Sequence, residues 1–312
     1  MRVVKPPTGA IDLSVVVVVQ VNKAHLDRCL EALTHSETSG NFEVIIPLDE
    51  SLSRMARFEA RYPAWHFVRN PGIRSAGQLR SDGIRAARGR LVALTEDRCI
   101  PATDWVQRIL DAHAATPLAI GGIVDKARPD EPLNWSAYFL DHLHYMPPVA
   151  RGRTLALSAL NASYKLEALH AIADAWRDGF AVNVVNGTLA ARGGTVWLSP
   201  DIRVYQRHDQ ELEQALWERY SHGRRISSAR GAALPPARRI ARALPAPALP
   251  FLRIARLLPV LLRKRRRGWQ FLAALPGIAL LAGAAAWGEL LGLTTGRPET
   301  RMQERPDPEY DR

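Results

Sequence analysis

Three clusters of polar side chains stand directly after apolar runs, where they are free to act on a ligand. Gln20, Val21 and Asn22 follow Val15–Val19; Asp49, Glu50 and Ser51 follow the run FEVIIP; and Thr95, Glu96, Asp97 and Arg98 follow Leu91–Leu94. Carboxylates so placed accept hydrogen bonds from hydroxyl and N–H groups or hold a divalent cation. A guanidinium fork pairs with phosphate oxygens. No GxGxxG or GxxxxGK(S/T) occurs, so the commonest dinucleotide and P-loop readings are excluded and any nucleotide must be held by side chains and scattered amides. Cys29 and Cys99 are the only two cysteines in 312 residues and belong to no CxxC or Cys/His cluster. Neither a disulfide framework nor a structural zinc site is expected.

The elements that must position these groups follow from the apolar pattern. Val15–Val19 and Phe42–Pro47 are β-branched runs bounded by polar residues, the pattern of strands buried on both faces. Trp65–Val68 and Leu91–Leu94 are two more strand candidates. Leu26–Leu33 has helical spacing, and Ser75–Ala87 reads as a helix closed by Gly89. Strands alternating with helices predict a parallel sheet covered on both faces, whose ligand collects at the carboxyl ends of the strands.

The charge is unevenly spread. Of 42 Lys and Arg, 14 lie between Arg219 and Arg267 with no acid among them, which leaves 28 basic against 31 acidic residues elsewhere. The chain thus reads as a near-neutral globular part with a cationic segment. Gly268–Gly288 has no charged residue and is about long enough for a helix to cross roughly 30 Å of hydrocarbon. Its Ala and Gly content and Pro276 also suit a helix lying in the interface, and a buried soluble helix is the third reading. The run Arg263–Arg267 just before it, against a mixed-sign tail, predicts that the large domain faces the cytosol. The start of the chain has no apolar signal-peptide core before its first strand. From Ala233 to Leu262 six prolines allow only short helices, whose arginines and apolar residues suit anionic headgroups. Nucleic acid is not expected as a partner, because Phe251 is the only aromatic residue between Ser221 and Arg267 available for stacking.

Taken in order, SVVVVVQVNKAHLDRCLEAL, FEVIIPLDES, RNPGIRSAGQLRSDGIRAARGRLVALTEDRCIP and the following Trp105 resemble glycosyltransferase family 2, over about the first 110 residues. The resemblance implies an α/β GT-A nucleotide-sugar-binding domain with a mostly parallel central sheet. A basic helical segment and a C-terminal apolar membrane helix would follow it. It also implies a nucleotide-sugar donor held by Gln20, Asn22, Asp49, Arg80, Glu96, Asp97 and Arg98. Where the family carries Asp-x-Asp, this chain has Glu96-Asp97-Arg98. Glu96 and Asp97, with His208 completing the set, would hold a divalent cation, Mn or Mg. Alternatively, Arg98 itself supplies the positive charge, or the acids merely cap the next helix.

On the acceptor side, LNASY (Leu160–Tyr164) resembles the family's small-residue strand, and Lys165–Ile172 continues as its helix. Val184–Gly194 and Trp197–Val204 match the later helix and last strand, and Glu211–Arg225 reads as an amphipathic helix leaving the core. The family's acidic base is missing from GFAVN (Gly179–Asn183), which leaves Asp174 and Asp178 as catalytic candidates. The expected organisation is a transferase domain over 1–215, a basic juxtamembrane segment over 216–267, a spanning or interfacial helix over 268–291 and a polar tail over 292–312. Residues 219–290 would meet membrane lipids. Two functions follow: an inverting, membrane-associated transferase acting on a lipid-linked or other membrane-bound acceptor, or a catalytically silent binding or scaffold subunit.

Overall fold

The computed structural model describes residues 9–19, 23–50, 55–114, 117–127, 131–207, 211–232 and 234–296. The described residues fold as two compact units, one from residues 9–126 and 145–207, the other from residues 127–144 and 211–296.

The first unit is built on a sheet. It opens with β1 (Leu13–Val18), α1 (Lys23–Thr34), β2 (Phe42–Leu48), α2 (Ala56–Arg61) and β3 (His66–Arg69). There follow α3 (Ala76–Ala86), β4 (Leu91–Glu96), β5 (Cys99–Pro101), α4 (Trp105–His113) and β6 (Ala119–Lys126). After α5 (Pro132–His142), which belongs to the second unit, come β7 (Gly152–Arg153), β8 (Ala162–Lys165), α6 (Leu166–His170), α7 (Val182–Ala191) and β9 (Val196–Gln206). The sheet runs β3-β2-β1-β4-β8-β6-β9-β5, with β7 also paired to β9. The first four strands are parallel; β6 and β9 run the same way, while β5, β7 and β8 run against them.

Alternation along β1 explains why the sheet is covered on both sides. Val15 and Val17 join one apolar cluster with Leu26, Leu30 and Trp105, whereas Val16 and Val18 join the other with Ile84, Tyr164 and Phe180. Full burial of a β-branched run on both faces is what makes it a central parallel strand. Ser75 starts α3 with a capping box, its Oγ accepting from the Gln78 N–H while Gln78 Oε1 accepts from the Ser75 N–H. The register of β6 on β9 shifts between Gly121 and Ile123. Gly122 is required there, because a Cβ would strike the Ile202 carbonyl and the Asn161 amide. Asn161 holds the irregular stretch by donating to the carbonyls of Ile123 at 2.7 Å and Ile202 at 3.1 Å.

The second unit is helical: α5 with α8 (Leu212–Ala232), α9 (Pro236–Ala243), α10 (Leu249–Lys264) and α11 (Gly268–Thr295). Small residues let α8 and α11 approach backbone to backbone. A Cβ on Gly288 would meet the Tyr220 carbonyl, one on Gly292 the Arg224 carbonyl, and one on Gly223 the Ala285 carbonyl. Ser136 on α5 donates to the Ala274 carbonyl of α11 at 2.9 Å, and Phe139 meets Phe271 edge to face at 5.3 Å. Arg219 forks onto Asp141 at 2.7 and 2.5 Å.

The prolines constrain these helices less than their number predicts. Pro250 occupies the first turn of α10, where no helical N–H is needed, and the helix continues through Pro259 for 16 residues. The carbonyl left open one turn earlier belongs to Ala255, an exposed residue, so that it is not sealed in the interior without a partner. Two segments, Ala237–Lys264 and Gly268–Thr295, are long and apolar enough to cross a membrane by length and composition.

Candidate active site

Strand order reverses between β1 and β4, so the carboxyl ends of β1, β2 and β4 converge at one place on the sheet edge. Val18 lies opposite Glu96, and the Asp97 N–H donates to the Val18 carbonyl at 3.0 Å. This pairing holds the Glu96–Arg98 turn against the end of β1. Asp97 is buried, and its Oδ1 accepts from the Arg98 N–H at 3.0 Å. Glu96 Oε1 accepts from Arg80 Nη2 at 2.5 Å, with side chains only 8% and 12% exposed. Arg80 stands just past the first turn of α3, which the Ser75 cap fixes in place. Two of the residues expected at a diphosphate therefore form one ion pair, and its geometry is set by the sheet and the helix together.

Asp49 extends this edge. Its carboxylate, buried at the end of β2, accepts from the Arg74 N–H at 2.9 Å. Glu50 N–H donates to the carbonyl of Gly72, whose left-handed backbone (φ +71) turns the chain toward α3. Arg74 Nε lies 4.0 Å from Asp82 Oδ2, and the buried Asp82 also pairs with Arg85. Asp82 is not signalled by sequence: in the run SDGIRAAR it looks like any surface acid on a helix, and only its burial marks it. Arg74 enters through its backbone amide, which has no sequence signature either.

From the far side, β9 reaches the same turn. Cys99 pairs with Gln206, and the Arg207 N–H donates to the Arg98 carbonyl at 2.9 Å. Residue 207 thus abuts the acidic turn. Gln20, Asn22 and His208 lie outside the described residues. Cys99 takes no part as a thiolate, because burial, reinforced by the negative charge of Glu96, pushes its thiol up to about 12.

The segment preceding α7 runs along α3. Arg85 donates to the Arg177 carbonyl at 2.9 Å, Ser81 Oγ to the Trp176 carbonyl at 2.6 Å, and the Phe180 N–H to the Gly77 carbonyl at 2.9 Å. The chain therefore climbs from the end of α3 to its start, and Phe180 arrives beside Tyr164 with rings 5.5 Å apart. Asp174 is wholly exposed, 4.0 Å from Arg177, and lies toward the end of α3 that is remote from Glu96. Asp178 is also exposed but lies two residues before Phe180, nearer the candidate edge. No carboxylate occurs between Gly179 and Asn186.

These residues are a poor fit to a resident divalent cation. Glu96 is already engaged by Arg80, Asp97 Oδ1 by the Arg98 amide, and among the described residues no three His, Cys, Asp or Glu side chains converge. A separate pocket of about 310 Å³, lined in part by Arg153, Leu155 and Thr195, opens at the start of β9, on the sheet edge away from Glu96.

No curated protein matches the sequence. Among solved structures the chain is similar to the mannosyltransferase PcManGT from Pyrobaculum calidifontis, described in complex with GDP-Man and Mn2+. The TM-score is 0.50 at 17% identity, over 91% of this chain and 90% of that one, a likeness of fold. Together with the strand order it makes this a GT-A-like α/β fold. The family model for glycosyl transferase family 2 matches residues 14–170, half of the chain, and takes in β1 to β4 with the edge residues Asp49, Arg80, Glu96, Asp97 and Arg98. With a family-wide match lying over the residues that converge at the strand ends, this chain belongs to glycosyl transferase family 2.

Proposed function

We propose that the chain is a membrane-associated, inverting glycosyltransferase that moves a sugar from a cytosolic nucleotide-sugar donor to a lipid-linked or other membrane-bound acceptor of the cell envelope. The observation that carries the reading is the buried Arg80–Glu96 pair at the switch point of a family 2 domain. In the displacement, the acceptor oxygen bonds to the anomeric carbon as the bond from that carbon to the diphosphate oxygen breaks. The electron pair stays on the diphosphate and the hydroxyl proton passes to a base.

Each role falls to a residue of this edge. Arg80 and Arg98 offset the charge growing on the leaving diphosphate. Asp49 accepts hydrogen bonds from the ribose or base, with Gln20 and Asn22 completing the donor cradle from β1. Asp178 is the better candidate base because it precedes Phe180 at the start of α3, with Asp174 the more distant alternative. A divalent cation, Mn or Mg, enters as a companion of the donor, for the similar Pyrobaculum enzyme is described with Mn2+. Glu96, Asp97 and His208 are the groups that could meet it. None of the roles assigned above runs through it.

The test is a thermal-shift panel of uridine, guanosine and thymidine diphosphate sugars on the full chain, with and without Mn2+, Mg2+ and chelator, followed by donor hydrolysis. GDP-Man is the first donor to try, given the neighbour. Stabilisation by one donor and its slow hydrolysis are expected; a panel with no shift removes the reading. Glu96→Ala, Asp97→Ala and Arg98→Ala apportion the phosphate site, and loss of binding in Arg98→Ala with indifference to chelator identifies a cation-free mode. A second reading, a silent scaffold at the membrane, is favoured by the missing carboxylate between Gly179 and Asn186. It predicts donor binding without hydrolysis.

A further inference from the structure

Each of the last three helices keeps one apolar stripe out of the protein interior. On α11 the outward residues Trp269, Leu272, Leu280 and Trp287 lie close to whole numbers of helical turns apart and so share one face, and Trp269 is 78% exposed. The stripe from Trp269 to Trp287 is about 27 Å long at 1.5 Å per residue. On α10, Leu258 and Leu262 face out beside exposed Arg256 and Arg263. On α9 and at its C-cap, Ile240 and Leu244 do so beside Arg238 and Arg242. Between α10 and α11 the chain turns within Arg265–Arg267, with Arg265 and Arg267 both left-handed.

The packing of the unit tells against any crossing of a bilayer. The other face of α11 lies against α8, where the Gly288 and Gly292 backbones meet those of Tyr220 and Arg224. That helix carries Glu218, Arg224, Arg225 and Arg230, so a spanning α11 would draw those charges to bilayer depth, where they are expensive. A two-span hairpin of α10 and α11 fares no better. Its tip would be Arg265–Arg267, which would have to cross to the far side. Arg253, in the second turn of α10 and about 18 Å before the Arg265–Arg267 tip at 1.5 Å per residue, is paired to Glu289 of α11 and would be carried inside.

We propose that this unit is a monotopic anchor. Its apolar stripes settle at the boundary between headgroups and acyl chains of an anionic leaflet, its arginines engage lipid phosphates, and no helix spans. Charge complementarity selects the occupant: apolar stripes bordered by arginine, with no exposed acid among them, match an anionic bilayer surface. The proposal rests on the membrane association in the reading above and replaces a crossing helix with a docked one.

The full chain, tagged at both ends and expressed in a bacterium, is treated with protease in spheroplasts and after lysis. Both tags should be protected in spheroplasts, both cleaved after lysis, and the protein recovered with membranes. Cleavage of the C-terminal tag alone in intact spheroplasts overturns the docked topology while leaving membrane association standing. Recovery wholly in the soluble fraction overturns both, and the donor panel still judges the transferase reading separately. For the purified chain, vesicles of equal phosphatidylglycerol and phosphatidylcholine should bind at least about tenfold more tightly than phosphatidylcholine alone. The exposed pair Leu272→Glu with Leu280→Glu should weaken that binding at least about tenfold with unchanged helicity. Equal binding to both vesicles, or no effect of the pair, overturns the proposal.

Discussion

The two units dispose of their arginines in opposite ways. In the sheet unit Arg80 pairs with buried Glu96, Arg88 reaches buried Glu43 at 2.6 Å, and Arg85 holds buried Asp82. In the helical unit Arg238, Arg242, Arg256, Arg263, Arg265, Arg266 and Arg267 are exposed, and the interior is joined by small residues and aromatic rings. Charge turned inward fixes the position of a few atoms. Apart from contacts such as Arg219 on Asp141, Arg253 on Glu289 and Arg267 over the Trp135 ring, the charge of the helical unit is turned outward and suits a partner outside the chain. On the proposals above, the first arrangement serves a site and the second a surface.

The contrast can be broken most severely at Arg80. Arg80→Met leaves Glu96 buried without its cation, which should lower stability by about 3–5 kcal/mol in denaturant unfolding and abolish the thermal shift with donor. Gly288→Leu tests the other unit: a side chain aimed at the Tyr220 carbonyl should cost about 3 kcal/mol, read as faster proteolysis of the α8–α11 region, with the donor shift retained. An intermediate effect comes with pH. Burial, then the nearby charge of Lys165, depresses His113 from its usual 6.5 to about 4, where its Nε2 meets Ser163 Oγ at 2.9 Å. The folded chain thus binds fewer protons than the unfolded one between these values. Its stabilisation is complete above pH 6.5 and declines as pH falls toward 4. His113→Asn should flatten that part of the profile, and an unchanged slope would show that His113 titrates normally. Least costly to the fold is Arg266→Ser, which should shift stability by under about 0.5 kcal/mol yet weaken binding to anionic vesicles about fivefold. A large loss of stability there would erase the distinction between the two units.

Much of the sheet unit is legible in sequence because its strands are extreme in type. Val15–Val19, FEVIIP and Leu91–Leu94 become β1, β2 and β4, since only a strand buried on both faces tolerates such runs. The stretch Ser75–Ala87, closed by Gly89, likewise becomes α3. What stays hidden depends on contacts distant in sequence. The Asn161 clamp on the β6–β9 irregularity, the burial of Asp82 and the packing of α5 on α11, 138 residues apart at the Ser136–Ala274 bond, have no local pattern. The Arg80–Glu96 bond lies between these cases: both residues stand out by type, but their pairing follows from α3 running back along β4. The uninterrupted α10 is illegible for another reason, because a proline's effect depends on whether the carbonyl it strands can reach water.

The bond between Arg80 and Glu96 has one more consequence. A guanidinium already seated on a carboxylate offers little to a small anion such as free phosphate, which must evict Glu96 and can give back no more than it displaced. A guest with further handholds, a sugar and a nucleoside gripping neighbouring loops, can make good that exchange. On the transferase reading proposed above, the resting edge would act as a filter that admits large activated molecules and turns their fragments away.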